Sequence, residues 1–394
     1  MTINRFHIYI TVVAISLILF ASCRKDDNIV GSTSTQVSDG QEGEIKGFFL
    51  LNEGNMGHNK ATLDFYDYTT GVYTKNIFPE RNPTVERELG DVGNDIKIWG
   101  DKLYAVINCS NLVEVMDVNT AEHITYITIP NCRYIAFKDN YAYVSSYDGS
   151  YSQSDDPTML EGYVAKIDTA TFDIVDRCVV GYQPDGVAVV DDKLYVANSG
   201  GYIDPTYDNR LSVIDLDSFE LIKNIEVGIN LHYILLDDYG MLWISSRGNY
   251  AEGDADYVAS KTFVVDPATD EVVNTLNLLP NSGMSLYGNS LYVYGSEWSN
   301  ATQSSTITYA VVDTKSQIVV SRGCITDGTD SQIEMPYCIA VNPYNGEIFI
   351  TDAKDYVTPG KVFCFNNDGT LKWSQTTGDI PAHIVFTNKV LQPL

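Results

Sequence analysis

A pattern that recurs about every 50 residues constrains the fold of this chain more than any other feature of its sequence. Seven times, a short strand-like segment ends in Asp, or once in Asn, and is followed by turn residues. These positions are Asp67, Asp117, Asp168, Asp215, Asp266, Asp313 and Asn366, with successive spacings of 50, 51, 47, 51, 47 and 53 residues. Asp favours a turn there because its side chain accepts hydrogen bonds from the backbone that follows. The pattern predicts seven equivalent units.

A second pattern precedes each of these turns and indicates what a unit contains. It is an apolar-aromatic-apolar strand, centred on Phe49, Tyr104, Tyr143, Tyr195, Trp243, Tyr292 and Phe349. No stretch of the repeats has a sustained helical period. A 50-residue all-β unit fits either a propeller blade or one turn of a solenoid. Four strands of about five residues, with their turns, fill a blade well.

The two ends of the repeat region decide between these architectures. The first unit, which starts at Phe48, lacks an innermost strand, and residues 382–386 form a spare innermost strand at the other end. The two partial units complete one blade, and a closed ring removes the exposed sheet edges that a solenoid would have to cap. We therefore predict an all-β fold, a seven-bladed β-propeller over residues 47–394, closed by pairing of the N- and C-terminal strands in one blade.

The segment before the repeats is typical of a secretory leader. Arg5 precedes an apolar run over residues 8–21, which is too short for a comfortable membrane span and fits a signal peptide. The run ends in small residues before Cys23, as in a bacterial lipobox. We predict a signal peptide over residues 1–22, a lipidated Cys23 and a flexible tether over residues 23–46. The alternative is an ordinary cleaved signal peptide. A lipid-anchored protein exposed on the outer membrane is the corresponding expectation for localisation.

Charge and residue counts narrow the function. The net charge of −27 disfavours nucleic-acid binding, because an acidic surface repels a phosphate backbone. The chain has five His, which leaves little for a metal site or a catalytic triad, and it has no Cys-x-x-Cys or His-Glu-x-x-His motif. We expect no catalytic residue, no metal and no required cofactor, although the abundant carboxylates leave a hydrolytic Asp/Glu pair open. These residue counts favour a ligand-binding function over a catalytic one.

Loop lengths predict where a ligand binds. The loops after the second strand of most units are long and rich in Tyr, Asp, Asn, Ser and Gly, whereas the turns at the other face are tight. Long loops that persist usually serve a site. The predicted ligand-binding residues on this face are Asn94, Asn108, Arg133, Tyr147, Tyr182, Gln183, Asn198, Tyr202, Asn230, His232, Arg247, Tyr250, Trp298, Tyr337, Tyr356 and His383. Aromatic and amide groups in this mixture suit a large, neutral, amide-rich ligand.

Six cysteines follow Cys23. Cys109 ends a second strand and Cys132 precedes the next innermost strand on the same face, so they are a possible disulfide in an oxidising compartment. The other four lie in strands and are expected to be small buried apolar residues.

Several segments together carry a family resemblance. They are residues 48–55 (FFLLNEGN), 89–95 (LGDVGND), 106–111 (VINCSN), 131–135 (NCRYI), 181–184 (GYQP), 196–202 (VANSGGY), 350–356 (ITDAKDY) and 378–384 (GDIPAHI). With the lipoprotein-like start, the chain resembles the YncE-like propellers of Bacteroidetes surface lipoproteins, and among them the BtuG-type vitamin B12 capture proteins.

The resemblance implies a non-enzymatic surface protein that binds cobalamin and related corrinoids and passes them to a TonB-dependent outer-membrane transporter. Two other functions remain open from the residues alone. One is a glycan- or protein-binding adhesion propeller, for which exposed Tyr and Trp are equally suitable. The other is a lyase or hydrolase.

Overall fold

The chain forms seven antiparallel sheets, six of four strands and one of five, so the predicted seven-bladed β-propeller is confirmed. The computed structural model describes residues 31–85, 88–148, 161–201, 207–249, 256–277, 279–299 and 304–393. Within each of blades 2 to 7 the strands follow chain order from the innermost to the outermost, because consecutive antiparallel strands are joined by direct turns. All of these strands belong to one compact unit, Ser32–Leu394.

Blades 2 to 4 have the following strands. Blade 2 contains β5 (Gly93–Trp99), β6 (Lys102–Ile107), β7 (Leu112–Asp117) and β8 (His123–Thr128). Blade 3 contains β9 (Cys132–Lys138), β10 (Tyr141–Ser146), β11 (Tyr163–Asp168) and β12 (Ile174–Val179). Blade 4 contains β13 (Pro184–Val190), β14 (Lys193–Asn198), β15 (Arg210–Asp215) and β16 (Glu220–Glu226).

Blades 5 to 7 repeat the same order. Blade 5 contains β17 (Leu231–Leu236), β18 (Leu242–Ser246), β19 (Lys261–Asp266) and β20 (Glu271–Leu276). Blade 6 contains β21 (Gly283–Tyr287), β22 (Ser290–Ser299), β23 (Ser304–Asp313) and β24 (Ile318–Ser321). Blade 7 contains β25 (Pro336–Val341), β26 (Ile348–Asp352), β27 (Pro359–Phe365) and β28 (Leu371–Asp379).

Blade 1 closes the ring, as predicted. Its innermost strand is the C-terminal β29 (Pro381–Thr387), followed outward by β2 (Gly47–Asn52), β3 (Thr62–Asp67) and β4 (Val72–Lys75). The register between β29 and β2 pairs Phe48 with Phe386 and Leu50 with Ile384. The two ends of the repeat region are therefore held together by a full antiparallel ladder.

Blade 1 also has a fifth strand that the sequence analysis missed. Residues 33–36 form β1 (Thr33–Gln36), which pairs with β4 at the outer edge of the blade. The prediction of a flexible tether over all of residues 23–46 is wrong for this part. The physical reason is that β4 presents an unpaired edge, and β1 satisfies its backbone groups; the Ser34 and Thr74 hydroxyls add a 2.9 Å contact.

Helices have a small share of the described residues. They are α1 (Ile77–Arg81) and a 3₁₀ turn at Thr329–Gln332, and no helix of the described segments is long and apolar enough to cross a membrane.

The repeated aromatic residues of the second strands form the core between blades. Tyr104, Tyr143, Tyr195, Trp243 and Phe349 are all fully buried. Aromatic side chains bury large apolar areas, so one such residue per blade fills the wedge between neighbouring sheets. Part of the Tyr excess of the sequence is therefore a packing requirement of the propeller.

The repeated Asp residues cap the turns, as predicted. In blade 1, Asp67 Oδ1 accepts hydrogen bonds from the backbone N–H of Thr69 at 2.8 Å and from its hydroxyl at 2.7 Å. In blade 3, Asp168 Oδ1 accepts from the backbone N–H groups two and three residues ahead. These backbone N–H groups lower the pKa of Asp168 because they stabilise the carboxylate.

The aromatic contacts at the closing blade predict a large loss of stability on truncation. Phe48 is fully buried, and its ring centroid lies 4.9 Å from that of Phe349 in blade 7 and 5.9 Å from that of Phe386 in β29. We expect Phe48→Ala to lower the free energy of unfolding by about 3–5 kcal/mol, measured by urea denaturation. The control Ile318→Ala, at a side chain that is 61% exposed, should change it by less than about 0.5 kcal/mol. A loss below about 1 kcal/mol for Phe48→Ala would contradict the closure described here.

Candidate functional site

A cavity of about 910 Å³ lies at one end of the propeller axis. Its walls come from the first residues of the innermost strands and from the residues that directly follow the second strands. Glu53, Asn108, Tyr147, Ser199 and Arg247 are each the first residue after the second strand of their blade, and all five line the cavity. The cavity is therefore on the face with the long loops, where the ligand site was predicted.

The structure brings eleven of the predicted residues to this cavity. They are Asn94, Asn108, Arg133, Tyr147, Asn230, His232, Arg247, Trp298, Tyr337, Tyr356 and His383. Tyr202 and Tyr250, together with the predicted lipidation site Cys23, lie outside the described residues.

Three predicted residues in blade 4 do not line the cavity. Asn198 is fully buried inside the blade, where its amide donates to Arg210 O at 2.8 Å and accepts from Gly181 N at 2.9 Å. Tyr182 lies against the Arg210 guanidinium, with 5.5 Å between that group and the ring centroid. Gln183 is 3% exposed and has a left-handed backbone with φ of 49° at the strand entrance. The chain thus uses these residues to build the blade.

Several lining residues were missed by the sequence analysis. They include Glu53, Tyr134, Tyr233, Tyr257, Asn281 and Tyr294. The repeat itself carries a signal for some of them. Asn281 lies two residues before β21, close to where Asn230 precedes β17, and Glu53 follows β2 as Asn108 follows β6. Aligning the units by strand ends, instead of selecting residues by type, would have found both.

A buried ion cluster forms one part of the cavity wall. Asp185 is fully buried, and its carboxylate accepts hydrogen bonds from Arg133 Nε at 3.0 Å, from Arg247 at 3.0 Å and from the Tyr147 hydroxyl at 2.7 Å. Burial would raise the pKa of Asp185, but the two guanidinium groups outweigh it and hold this pKa below its ordinary value. Asp185 is therefore ionised and fixes both arginines.

Two imidazoles line the cavity in their neutral form. Burial lowers the pKa of His232 well below 6.5 and that of His383 to about 4. Nearby arginines act in the same direction, because a second positive charge is disfavoured beside them. His232 Nε2 lies 2.7 Å from the Tyr134 hydroxyl. At neutral pH these side chains offer neutral hydrogen-bonding groups and aromatic surface.

Glu53 faces the same region. Burial raises its pKa, while the hydrogen bond from Tyr337 and the charges of Arg133 and Arg247 partly offset that effect. The Tyr337 hydroxyl donates to Glu53 Oε2 at 2.8 Å, and the Tyr356 ring packs edge-on against Tyr337 at 5.8 Å. This carboxyl group is held in place by an aromatic pair.

Aromatic side chains surround the mouth, and buried amides lie in the wall. Trp298 is 54% exposed, and Tyr257 and Tyr356 are each 39% exposed. The fully buried Asn230 and Asn281 each have a side-chain carbonyl oxygen with no hydrogen-bond partner among the described residues. The side-chain nitrogen of Asn230 donates to Gly248 O and that of Asn281 donates to Thr262 Oγ1, which fixes the orientation of both amides. Because both oxygens are themselves buried, a small donor such as an ordered water in the wall would satisfy them.

The predicted disulfide between Cys109 and Cys132 is not formed in the structure, where both residues are free thiols. Cys132 is buried, and its Sγ contacts the carbonyl oxygens of Ile107 and Leu112 at 3.6 and 3.3 Å. Cys109 Sγ instead lies 3.5 Å from Asn108 Oδ1. The strand pairing turns the two side chains toward different partners. Within the described part of the chain, no group of three His, Cys, Asp or Glu residues is arranged to hold a metal ion.

The neutral imidazoles predict a loss of stability in mild acid. The unfolded chain takes up a proton on each His near pH 6.5, whereas folded His383 does so only near pH 4. The unfolded state therefore binds more protons, and the free energy of unfolding falls as the pH is lowered from about 7 to about 5. We expect His383→Gln to reduce this slope by up to about 1.4 kcal/mol per pH unit.

Urea denaturation at several pH values measures this slope. The control His58→Gln, at an exposed side chain, should leave the wild-type slope. An unchanged slope for His383→Gln would show that this imidazole titrates equally in both states.

Comparison with solved structures finds the same fold at low sequence identity. The quinoprotein alcohol dehydrogenase-like protein of Bacteroides thetaiotaomicron is 14% identical with a TM-score of 0.58, over 88% of this chain and 79% of that one. Hydrazine synthase of Kuenenia stuttgartiensis is 16% identical with a TM-score of 0.55, over 70% and 77% of the two chains. The Neurospora crassa Pan2 WD40 domain is 10% identical with a TM-score of 0.52, over 74% and 81%.

These likenesses concern the propeller fold alone. No curated protein sequence matches the chain. One family model, described as Domain of unknown function (DUF5074), matches residues 46–386, which is nearly the whole propeller. The chain is therefore a member of the DUF5074 family.

Proposed function

We propose that this protein is a non-enzymatic capture protein that binds cobalamin and related corrinoids in the cavity on its loop-rich face. The observation that carries the proposal is the composition of that cavity. Its wall combines aromatic rings, amides and neutral imidazoles, and its two arginines are already engaged by a buried carboxylate. The choice of a corrinoid as the ligand rests on the resemblance of the sequence to the vitamin B12 capture proteins.

The size of the cavity supports a large ligand. Its volume of about 910 Å³ is at the upper end of the range of about 300–1,000 Å³ that is usual for small-molecule sites. Lining residues come from blades 1 to 7, so a ligand would contact many blades at once. A flat macrocycle with peripheral side chains matches such a broad site better than a small metabolite does.

The chemistry of the wall supports an amide-rich ligand. Asn94 and Asn108 donate their side-chain amides to the carbonyl oxygens of Arg133 and Cys132, at 2.8 and 3.0 Å, which fixes their orientation. The periphery of a corrinoid carries primary amides, which both donate and accept hydrogen bonds. Preorganised groups of this kind bind with a small loss of conformational entropy.

The proposal includes the cellular context that the sequence suggests. Lipidation at Cys23 would anchor the protein to the outer membrane, where each buried acyl methylene contributes about 0.8 kcal/mol. The bound corrinoid would then be delivered to a TonB-dependent outer-membrane transporter, and nucleic acid is not a partner.

Cobalamin binding is directly testable with the purified protein. We expect cyanocobalamin to release heat in a titration with one-to-one stoichiometry, and its pink colour to elute with the protein in gel filtration. Mixing without heat and without retained colour would refute the proposal.

A pair of tryptophan variants tests whether the cavity is the site. Trp298 lines the mouth, whereas Trp99 is at the last position of β5, at the opposite end of the strand from the lining residue Asn94. We expect Trp298→Ala to weaken cobalamin binding about tenfold or more, because interface Trp residues are often binding hot spots. The matched control Trp99→Ala, which also loses a partly exposed Trp, should leave affinity unchanged. Equal effects of the two variants on cobalamin affinity would show that the mouth of this cavity is not the binding site.

Glycan binding is a second candidate, favoured by the exposure of Trp298, Tyr257 and Tyr356 around the mouth. Such rings stack on sugars as well as on a corrin. A glycan array distinguishes the two functions, since the corrinoid proposal expects no glycan to compete with cyanocobalamin. Carbohydrate binding that Trp298→Ala abolishes, with no cobalamin binding, would favour the second candidate.

A further inference from the structure

One group of charged side chains in the cavity wall has no role in the neutral contacts described above. Arg133 enters from blade 3 and Arg247 from blade 5, and both contact the carboxylate of Asp185 in blade 4. Both arginine side chains remain partly exposed, at 14% and 25%, and both line the cavity, whereas Asp185 is fully buried. These three residues are the Arg–Asp–Arg cluster. Two guanidinium groups share one carboxylate, so the cluster carries one net positive charge.

We propose that the Arg–Asp–Arg cluster binds a single anionic group of the ligand, and that this group is a phosphodiester. The carboxylate of Glu53 is the nearby negative charge that balances the cluster before the ligand binds, and the bound anion takes over that role. The inference rests on the proposed function, because it assigns one subsite of the same cavity.

The geometry of the cluster suits this role. Asp185 accepts from Nε of Arg133 and from one terminal nitrogen of Arg247, so it fixes the direction of both guanidinium planes. The Tyr147 ring lies 4.8 Å from the Arg133 guanidinium and adds a second restraint. A guanidinium presents its donors as a planar fork that matches phosphate and carboxylate oxygens. Because the arginines are held in advance, binding an anion would order few side chains.

Charge balance explains the role of Glu53. Arg133, Arg247 and Asp185 sum to one positive charge, and an ionised Glu53 would neutralise it. Burial opposes that ionisation, while the hydrogen bond from Tyr337 and the two arginines favour it. Tyr356 and Cys109 also interact with this carboxyl group.

Glu53 thus responds to an incoming anion. A monoanion beside the arginines would repel a charged Glu53 and favour its protonated form, so binding takes up a proton and weakens as the pH rises. Glu297, another carboxylate of the described lining, neighbours Trp298 on β22 in blade 6.

A phosphodiester is the anion that a corrinoid can supply. Cobalamin carries one such group in its nucleotide loop, whereas cobinamide lacks the nucleotide and its phosphate but retains the amide-bearing ring. The site has two arginines and no further cation among its described lining residues, which fits one negative charge and disfavours a polyphosphate. Cobalamin and cobinamide therefore form a matched pair of probes.

The experiment compares both probes, by competition titration, on the wild type, Arg247→Gln and Arg247→Lys. We expect the wild type to bind cobalamin more tightly than cobinamide. Arg247→Gln should weaken cobalamin binding about 10- to 100-fold, as expected for loss of a charged hydrogen bond, and should change cobinamide binding little. Arg247→Lys keeps the charge and should retain most of the cobalamin affinity.

The pH dependence provides a second measurement that does not require removal of an arginine. We expect cobalamin affinity of the wild type to fall as the pH rises through the range in which Glu53 ionises, with a smaller fall for cobinamide. Glu53→Gln can still accept the Tyr337 hydrogen bond but cannot ionise, so it should remove this pH dependence and strengthen cobalamin binding at the upper end of that range. If Arg247→Gln does not fold, this comparison decides the question.

The outcomes separate the inference from the proposed function. Tight binding of both probes, with equal losses in Arg247→Gln or with no effect of Glu53→Gln on the pH profile, would overturn the anion subsite and leave corrinoid capture intact. If neither cobalamin nor cobinamide binds to the wild type, both the anion subsite and the proposed corrinoid capture are overturned.

Discussion

The ladder between β29 and β2 is the interaction on which the rest of the structure depends. It joins residues near both ends of the propeller, and without it β2 would present unpaired backbone groups at an open edge. The same ladder also builds the site. β29 carries His383 into the cavity, and Glu53 directly follows β2. The pairing that closes the ring therefore also places two of the residues that line the cavity.

The charged side chains of the cavity are paired and its imidazoles are neutral, although the chain as a whole carries a net charge of −27. Arg133 and Arg247 are bound to a fully buried carboxylate, and the imidazoles of His232 and His383 stay neutral because charging them would cost desolvation beside existing positive charges. The wall thus consists of aromatic rings, amides and neutral imidazoles, and its positive charge is confined to the Arg–Asp–Arg cluster. That combination is the basis on which we propose a mostly uncharged ligand with at most one anionic group.

Sequence reasoning predicted the face on which the cavity lies but identified the lining residues of the cavity unevenly. Asn108, Tyr147 and Arg247 were predicted from loop chemistry, and they share a position, the first residue after a second strand, with the missed Glu53. Asn198 has the residue type of a binding amide, yet it is the last residue of β14 and its side chain bonds backbone inside the blade. Residue type alone could not separate these cases, because side chains alternate between faces along a strand and a shift of one residue reverses the outcome.

The sequence by itself determined the number of blades, the closure by terminal strands, the turns capped by Asp and the face that carries the long loops. Those features depend on local periodicity and on the completeness of each repeat, which are visible without coordinates. Only the tertiary structure decided which side chains meet. Arg133 and Arg247 lie 52 and 62 residues from Asp185, and they converge because a closed ring brings strand ends of neighbouring blades to one axis. Such contacts depend on register and on the direction of each side chain, and a linear sequence does not specify either one on its own.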